Sequence, residues 1–304
     1  MTLPTIGWIG AGRMGTAMAG FVLAAGYPVL VCSRTAASRQ RLVVRGAREA
    51  ANPAECAREA DLVFSSIPDD ATLRAIALGP DGALANARPG AVFVDTSTVS
   101  VEASAEVAGE ADKLGVLYLR IPISGNAASA QHGEVTALVS GPQPAWETVK
   151  PVVKTFSNAQ VYLGAGEQAR VMKLVVNALV VNFAQAMAEA LALGRKAGLD
   201  WSLMLDTLAQ STLTSPWLKA KAALLERRDF TPTMTTRLIL KDIDLMLAAA
   251  RANAVPMPLT AATRQLMQSV VGAGYGEDDY MATIKLAEQL SGLSTDDMRS
   301  GRGR

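Results

Sequence analysis

The chain has 304 residues, of which 50% are hydrophobic and 19% are charged, with 29 basic and 28 acidic side chains. Because a domain usually has about 100–200 residues, the length predicts two domains, and the hydrophobic content excludes a disordered chain. The formal net charge of +1 provides no basic field, so we expect no nucleic-acid partner. Two cysteines are too few for a disulfide scaffold, and the first residues lack a signal-peptide pattern, which predicts a cytoplasmic protein.

The first half of the sequence alternates short β-branched runs with alanine-rich segments of helical spacing. The predicted strands are Thr5–Ile9, Pro28–Ser33, Asp61–Ile67, Ala91–Asp95, Val116–Ile121, Val135–Ser140 and Gln160–Leu163. Helices are predicted between several of these strands, for example at Arg13–Ala25 and Val101–Lys113. This alternation predicts a mostly parallel, doubly wound sheet with helices on both faces, and we assign residues 1–165 to this α/β domain.

The second half changes to an all-helical pattern. The predicted helices are Val171–Gly194, Trp201–Gln210, Pro216–Glu226, Thr236–Asn253 and Pro258–Gly272. We therefore assign residues 166–304 to an all-α domain, of which 295–304 are expected to form a solvated tail. Val171–Gly194 is long enough to span a bilayer, but Lys173, Asn177 and three further polar side chains interrupt it. This pattern predicts a buried helix and no membrane partner.

A glycine-rich loop follows the first predicted strand. Its sequence is Gly10-Ala11-Gly12-Arg13-Met14-Gly15, and a predicted helix follows it. In this setting Gly10 permits the tight turn, Gly12 lets a pyrophosphate approach the backbone, and Gly15 lets the helix pack on the strand. The free N–H groups at the helix start then meet the phosphates. The pattern predicts a Rossmann-type dinucleotide site formed by Gly10, Gly12, Arg13, Met14 and Gly15.

The end of the second predicted strand indicates which dinucleotide binds. NAD enzymes usually have an acidic residue about 20 residues after the glycine loop, where it binds the ribose 2′-hydroxyl. This chain has Ser33, Arg34 and Thr35 there, so no carboxylate repels a 2′-phosphate, and the Arg34 guanidinium can bind one. We therefore expect NADP, as NADPH in reduction. Ile67 and Pro68 end the third predicted strand and are expected to lie beside the cofactor.

Polar residues suited to substrate chemistry occur in three later segments. Thr98 follows one predicted strand, and Ser124-Gly125-Asn126 follows another. Lys173 and Asn177 lie four residues apart on the long predicted helix, so both project from one face, about 5–6 Å apart. Burial of an unpaired ammonium group is costly and lowers its pKa, which suits a proton donor near neutral pH. The alternative is a lysine whose end extends from the helix start into solvent.

The order of these motifs resembles that of the β-hydroxyacid dehydrogenase family, in particular its 3-hydroxyisobutyrate dehydrogenase-like members. The matching motifs are the glycine loop, Ser97-Thr98, Pro122-x-Ser124-Gly125 and Lys173-Leu-x-x-Asn177. The resemblance covers nearly the whole chain and includes Lys241-Asp242, where the family has a similar pair near the cofactor. The Ser33-Arg34-Thr35 segment is most similar to the NADP-dependent glyoxylate/succinic semialdehyde reductase branch.

The resemblance implies hydride transfer between NADP(H) and a short aldehyde or keto acid that carries a carboxylate. It implies that Lys173 is the general acid in reduction and the base in the reverse reaction, and that Asn177 orients the substrate. The other implied roles are a carboxylate receptor at Ser124, Gly125 and Asn126, a position near the nicotinamide for Thr98, and one near the cofactor for Lys241. No cluster of Cys, His, Asp or Glu has metal-ligand spacing, so we expect no metal.

The chain departs from the family pattern mainly on the substrate side. Arg120 replaces a usual Asp, and Asn126 replaces a second Gly. Asparagine tolerates positive φ, so Asn126 could preserve the receptor turn, or it could crowd the receptor and admit neutral ketones or imines. Arg120 either keeps the receptor cationic or ends a strand in solvent. Gly166 is displaced by one position, and Val176 replaces a frequent Asn.

Two other functions fit the same predicted architecture. An imine reductase shares the fold and cofactor motif, but such relatives generally have Asp or Tyr in place of Lys173. A non-catalytic NADP-binding protein is expected to have lost Lys173. The long apolar helix needs more cover than a small helical domain provides, so we also expect a homodimer or homotetramer.

Overall fold

The computed structural model describes residues 3–294, so the predicted tail at 295–304 lies outside the described residues. The main sheet has six parallel strands: β1 (Ile6–Ile9), β2 (Val29–Cys32), β3 (Arg48–Glu49), β4 (Leu62–Ser65), β5 (Val92–Asp95) and β6 (Leu117–Arg120). Their order is β3-β2-β1-β4-β5-β6. The order reverses at β1, which is the switch point of a doubly wound sheet, and ligands bind such sheets outside the carboxyl ends of the strands.

Helices alternate with these strands along the chain. They are α1 (Arg13–Ala24), α2 (Ala36–Val43), α3 (Pro53–Glu59), α4 (Asp70–Leu78) and α5 (Val101–Lys113). Alternate strand residues pack into two separate hydrophobic clusters, with Trp8 and Phe64 in one and Val63 and Phe93 in the other. Because a strand directs successive side chains to opposite faces, both faces of the sheet are buried, as the continuous apolar strands predict.

A second, three-stranded sheet follows. It contains β7 (Ile123–Ser124), β8 (Thr136–Val139) and β9 (Ala159–Tyr162), with α6 (Ala127–Gln131) and α7 (Gln143–Val153) in the connections. The β7–β8 pair is antiparallel and the β8–β9 pair is parallel. All seven predicted strands are therefore confirmed to within two residues at either end. The two strands that were not predicted, β3 and β7, have two residues each, which is too short to show a periodic pattern.

The rest of the described chain is helical, apart from loops and one isolated antiparallel bridge between Thr235 and Asp279. The helices are α8 (Gln168–Lys196), α9 (Trp201–Gln210), α10 (Pro216–Glu226), α11 (Thr236–Ala252), α12 (Pro258–Val270) and α13 (Thr283–Leu290). The five predicted helices are all present, and α13 was not predicted. The chain divides into two compact units between Val176 and Asn177. This division falls inside α8, whereas the domain boundary predicted from composition lies just before the helix begins.

Helix α8 is long and apolar enough to cross a membrane by length and composition alone, and 44% of its most apolar stretch is buried inside the protein. Its polar side chains have partners within the second unit. Asn182 hydrogen-bonds both Thr260 and Thr263, and Gln185 accepts from Thr283. Such pairing satisfies buried amides, as expected for a helix in the interior of a folded protein.

Candidate functional site

The strands that flank the switch point end at one edge of the main sheet. The register pairs Ile9 with Cys32 on one side and with Ser65 on the other, and Ser65 with Asp95 in turn. The carboxyl ends of β1, β2, β4 and β5 therefore lie side by side. The predicted nucleotide-site segments of the α/β unit all follow these four strands, so the fold brings them to the same edge. Lys241, the remaining predicted cofactor residue, lies on α11 of the second unit.

The glycine loop has the conformation that the motif requires. Gly10 has φ +96°, and a Cβ there would lie 2.2 Å from the Ser66 carbonyl oxygen. A Cβ on Gly15 would lie 2.1 Å from the Gly10 carbonyl oxygen, so α1 packs too closely on the loop for any side chain. A Cβ on Gly12 would meet no atom within 4 Å, and no side chain among residues 3–294 caps the start of α1. The space at Gly12 and the uncapped helix start fit a pyrophosphate.

The residues after β2 adjoin this loop. The Ser33 hydroxyl accepts a hydrogen bond from the Ala11 amide at 3.3 Å. Arg34 is exposed, and its side chain makes no hydrogen bond or ion pair within the part of the chain that the structure describes. Thr35 is also exposed, and its hydroxyl donates to Ser38. No carboxylate follows β2 directly, so the arrangement fits a 2′-phosphate at Arg34.

Arg39 is a further arginine beside this segment, and the sequence pattern did not indicate it. Its Nη1 donates to the Ser33 carbonyl oxygen at 2.6 Å, and its Nε lies 3.6 Å from Glu49 Oε1. Arg39 thus braces the end of β2 and partly neutralises the nearest carboxylate on β3. The sequence did contain a signal for Arg39: it lies one turn after the start of the helix that follows the Ser33-Arg34-Thr35 segment.

The two loops after β4 and β5 are joined by a hydrogen bond. The Ile67 amide donates to the Ser97 hydroxyl at 2.9 Å, and Thr98 is the next residue in the chain. Pro68 then leads into Asp69, which caps α4 by accepting from the Thr72 amide. The predicted cofactor residues Ile67, Pro68 and Thr98 are therefore held together at the carboxyl edge.

A buried ion pair lies beneath these loops. Arg170, in the first turn of α8, is 1% exposed, and its Nη2 lies 2.5 Å from Oδ2 of Asp95, which is 0% exposed. Arg170 also donates to the Ser97 carbonyl oxygen and to the hydroxyls of Ser104 and Tyr118. Burial would lower the pKa of the Arg170 guanidinium, but Tyr118 and Asp95 outweigh it, and that pKa is raised. The sequence pattern did not indicate this pair, because its members lie 75 positions apart.

The predicted carboxylate receptor adopts a tight turn, but not the one expected. Gly125 has φ +148°, whereas Asn126 has φ −131° and is the N-cap of α6. Asn126 Oδ1 accepts hydrogen bonds from the backbone amides of Ala128 and Ser129. The backbone amide of Asn126 donates to the Ser129 hydroxyl. Asparagine is a favoured N-cap, so local capping outcompetes the left-handed conformation. The Ser124 hydroxyl is half-buried and makes no hydrogen bond within the described residues.

Arg120 matches neither alternative expected from the sequence. Its side chain is 6% exposed, so it does not end the strand in solvent. Its Nε and Nη2 donate to Glu167 Oε1, and its guanidinium lies 4.5 Å from the centre of the Tyr118 ring. Glu167 neutralises the Arg120 charge, so this arginine does not make the receptor cationic.

Lys173 and Asn177 lie on one face of α8, as their spacing predicts. They are 8% and 6% exposed, which is low for both residue types and excludes a lysine extended into solvent. Asn177 Nδ2 donates to Asp242 Oδ2 at 2.8 Å, and Lys241 Nζ lies 2.8 Å from Asp242 Oδ1. Asp242 is 1% exposed and was predicted only as the neighbour of Lys241.

These residues provide the parts that a dinucleotide-dependent redox reaction needs from a protein. The carboxyl edge has a phosphate-binding loop, β7 ends with the Ser124 hydroxyl, and α8 has a buried amine and a buried amide on one face. Within residues 3–294, no three His, Cys, Asp or Glu side chains lie close enough together to hold a metal ion.

Comparison with known proteins gives matches along the chain. The family model described as the NAD binding domain of 6-phosphogluconate dehydrogenase matches residues 5–164, and the model described as NAD-binding of NADP-dependent 3-hydroxyisobutyrate dehydrogenase matches residues 164–287. The 2-(hydroxymethyl)glutarate dehydrogenase of Eubacterium barkeri is 31% identical over 95% of this chain and 96% of its own length. Glyoxylate/succinic semialdehyde reductase 2 of Arabidopsis thaliana is 29% identical over 92% of this chain and 78% of its own length.

A solved structure gives the same result. The crystal structure of 3-hydroxyisobutyrate dehydrogenase from Salmonella typhimurium is similar with a TM-score of 0.85 and 27% identity, over 93% of this chain and 99% of that one. The matches run through the α/β unit and the helical unit alike, and they include the glycine loop at the switch point. The chain therefore belongs to the β-hydroxyacid dehydrogenase family, whose members are oxidoreductases with a Rossmann-type site for a nicotinamide dinucleotide.

Proposed function

We propose that the protein is an NADP(H)-dependent oxidoreductase that interconverts a short, carboxylate-bearing aldehyde or keto acid with its hydroxy acid. The observation that carries this proposal is the buried Lys173, one helical turn before the buried Asn177 on α8. Two of the relatives reported above are named for reactions of this class, the 2-(hydroxymethyl)glutarate dehydrogenase and the glyoxylate/succinic semialdehyde reductase.

The fit of the cofactor rests on two features of the α/β unit. The uncapped start of α1 and the open space at Gly12 suit the pyrophosphate, with Arg13 and Met14 beginning the helix. The exposed guanidinium of Arg34 suits a 2′-phosphate, and Ser33 in place of an acid leaves that phosphate unopposed. Both features favour NADP over NAD.

Lys173 has the role of proton donor in the proposed reduction. Bound NADPH would supply a hydride to the carbonyl carbon. The Lys173 ammonium gives one proton to the carbonyl oxygen, which becomes the hydroxyl, and the neutral amine then regains a proton from water. Asn177 orients the substrate, because its amide is fixed by Asp242 on a neighbouring helix of the same unit.

Substrate choice is assigned to Ser124, the last residue of β7, and to the turn that follows it. The Ser124 hydroxyl is available to donate to a carboxylate, and the positive φ of Gly125 shapes the backbone beside it. Asn126 contributes by capping α6, which fixes this turn. The backbone amide of Asn126 is not available to the substrate, because it already donates to the Ser129 hydroxyl. A small anionic substrate would complete the hydrogen bonding of the Ser124 hydroxyl, whereas a neutral aldehyde would leave it unpaired.

The assembly proposed is a homodimer or homotetramer in the cytoplasm. One face of α8 exposes Val171, Val175 and Leu179 at four-residue intervals, and these side chains are 44%, 48% and 71% exposed. An apolar helical stripe of this kind is typical of an interface between protein copies. A second copy of the chain would bury it with its own equivalent face.

A panel of substrates tests the proposal. NADPH oxidation is measured with succinic semialdehyde, glyoxylate, butanal and a cyclic imine, with NADH in parallel. The proposal expects the carboxylate-bearing aldehydes to react fastest with NADPH. Faster turnover of the cyclic imine would favour an imine reductase, and no oxidation with any of them would favour a non-catalytic NADP-binding protein.

A further inference from the structure

Arg170 is an extensively bonded side chain of the α/β unit. It makes four hydrogen bonds: to Asp95, Ser97, Ser104 and Tyr118. These partners lie on β5, on the loop that follows it, on α5 and on β6. A single guanidinium thus ties the first turn of α8 to three elements of the sheet domain.

Asp95 extends the same network to the cofactor edge. Its Oδ1 accepts from the hydroxyls of Ser65 and Ser97, at 2.7 and 2.6 Å. The Ser97 hydroxyl in turn accepts from the Ile67 amide at 2.9 Å. The network therefore fixes both loops that hold the predicted nicotinamide-side residues, and it fixes the helix that carries Lys173.

A buried ion pair is in general weak evidence for a role in stability. Replacing a buried ion pair by apolar side chains of similar volume is often neutral or stabilising, because desolvation of both charges is costly. The pair instead provides directional hydrogen bonding. Arginine has five N–H donors in a planar fork, and the four hydrogen bonds of Arg170 go to four different residues. Arg170 lies three residues before Lys173, so both side chains occupy neighbouring positions on one helical face.

We propose that Arg170 and Asp95 are positioning residues that set the place of Lys173 relative to the loop bearing Thr98. This inference rests on the proposed function, because it assigns Lys173 the proton transfer. A displacement of about 1 Å at a reacting group can lower the rate by about 100-fold, so a rigid anchor one turn away from the proton donor directly supports turnover.

Two single variants and one double variant test the proposal. Arg170→Met leaves a buried carboxylate unpaired, and Asp95→Asn leaves a buried guanidinium unpaired, so both singles are expected to lose stability as well as activity. The double variant R170M/D95N contains neither charge, and the amide oxygen that it has at position 95 can still accept from Ser65 and Ser97. We expect the double variant to be more stable than either single variant, because it leaves no buried charge unpaired, while its kcat stays about 10- to 100-fold lower than that of the wild type.

Arg195→Gln is the matched control. Arg195 lies on the same helix and also contacts a buried carboxylate, that of Glu288. It is 22 residues beyond Lys173, about 33 Å along the helix, so loss of its charge should lower stability and leave kcat within about twofold of the wild type. Arg170→Lys keeps the cation opposite Asp95 with fewer donors, and its kcat should lie between those of the wild type and the double variant.

Three readouts separate the outcomes. The Kd for NADPH, from fluorescence titration, should change less than threefold in the double variant. Hydrogen exchange of the amides at 168–177 should accelerate, with no change at 190–196. A double variant with wild-type kcat, or a rise in the NADPH Kd that matches the fall in kcat, would overturn the positioning role. If the wild type reduces no carbonyl, the proposed function fails, and unchanged exchange at 168–177 would independently refute the anchor.

Discussion

Asn177 donates its side-chain amide to Asp242, with Nδ2 2.8 Å from Oδ2. Both side chains are buried, and Lys241 Nζ lies 2.8 Å from the second carboxylate oxygen. The carboxylate of Asp242 is thus shared between an amide and an ammonium group. Because Nδ2 is directed at Asp242, the Oδ1 end of Asn177 is the one that would accept a hydrogen bond from the substrate in the proposed reaction.

Removal of the Arg34 side chain should abolish the cofactor preference. An arginine–phosphate hydrogen-bonded pair contributes roughly 1.5–3 kcal/mol, which corresponds to about tenfold to more than a hundredfold in affinity. In Arg34→Ala, kcat/KM for NADPH should fall by that factor, while kcat/KM for NADH stays nearly unchanged. Steady-state kinetics with both cofactors measure the ratio.

Arg39→Ala is the comparison for this variant. Arg39 is already bonded to the Ser33 carbonyl oxygen and lies close to Glu49, so its loss should weaken both cofactors more evenly. Equal efficiency of the wild-type protein with NADH and NADPH would show that Arg34 does not select the 2′-phosphate.

The Ser124 hydroxyl should discriminate between acids and neutral aldehydes. Ser124→Ala removes a hydrogen-bond donor to the substrate carboxylate, which costs about 1–3 kcal/mol of binding free energy. We therefore expect kcat/KM for succinic semialdehyde to fall by about fivefold to more than a hundredfold. The value for butanal should change little, since it has no carboxylate to receive. Ser129→Ala provides a control for the turn, because it removes a bond to Asn126 without removing the proposed donor. Equal losses for both substrates in Ser124→Ala would contradict the receptor.

The fold could be predicted largely from local pattern. The seven longer strands were predicted from β-branched runs. The helices of the second half were predicted from the spacing of apolar residues and from the Gly and Pro residues that end them, because each of these signals lies within a few neighbouring positions. β3 and β7 have two residues each, which is too short for a period-2 pattern to show in the sequence. The N-cap at Asn126 did have a local signal, a serine three residues later, and a capping pattern was the better interpretation.

The site divides in the same way. The glycine loop and the Lys173–Asn177 spacing are local motifs, and the structure places them on the elements that were expected. Side-chain contacts between residues far apart in the chain could not be predicted from the sequence. Arg170 bonds to Asp95, 75 positions away, and Asn177 bonds to Asp242, 65 positions away. Arg120 pairs with Glu167, 47 positions later, so neither alternative drawn from the sequence, a cationic receptor or a strand end in solvent, anticipated its partner.

The exposed face of α8 should mediate self-association. Leu179 is 71% exposed in the middle of this face, so Leu179→Glu would place a charge in the interface of a dimer and shift the protein toward monomer. Val44→Glu is the matched control, because Val44 is 72% exposed on the α/β unit, outside this face. Light scattering at micromolar concentration gives the mass. A wild-type protein that is already monomeric would refute the assembly.

Cys56 should contribute to loss of stability in alkali. Burial, with a smaller effect of Cys32, raises the pKa of the Cys56 thiol from 9.0 to about 12. The unfolded state loses this proton above about pH 9 while the folded state keeps it, so the free energy of unfolding falls by about 1.4 kcal/mol per pH unit until the folded pKa is reached.

Replacement by alanine removes this contribution. In Cys56→Ala, the drop in unfolding free energy between about pH 8 and about pH 10.5 should be smaller than in the wild type by about 2 kcal/mol. Urea unfolding at the two pH values measures the drop. Cys32→Ala serves as comparison, since burial raises the pKa of its thiol as well. An identical drop in wild type and Cys56→Ala would show that Cys56 titrates as an exposed thiol.

The most direct test of the account is the turnover of Lys173→Ala under conditions where chemistry limits the rate. Removal of a positioned proton donor lowers turnover by roughly 10²–10⁴-fold, while the nucleotide loop and Arg34 are untouched, so NADPH should still bind with nearly wild-type affinity. Lys219→Ala, at an exposed position on α10, should retain full activity. Lys173 is the general acid if its variant binds NADPH and has lost turnover to this extent. A Lys173→Ala variant that keeps more than about a tenth of wild-type turnover would contradict the assignment.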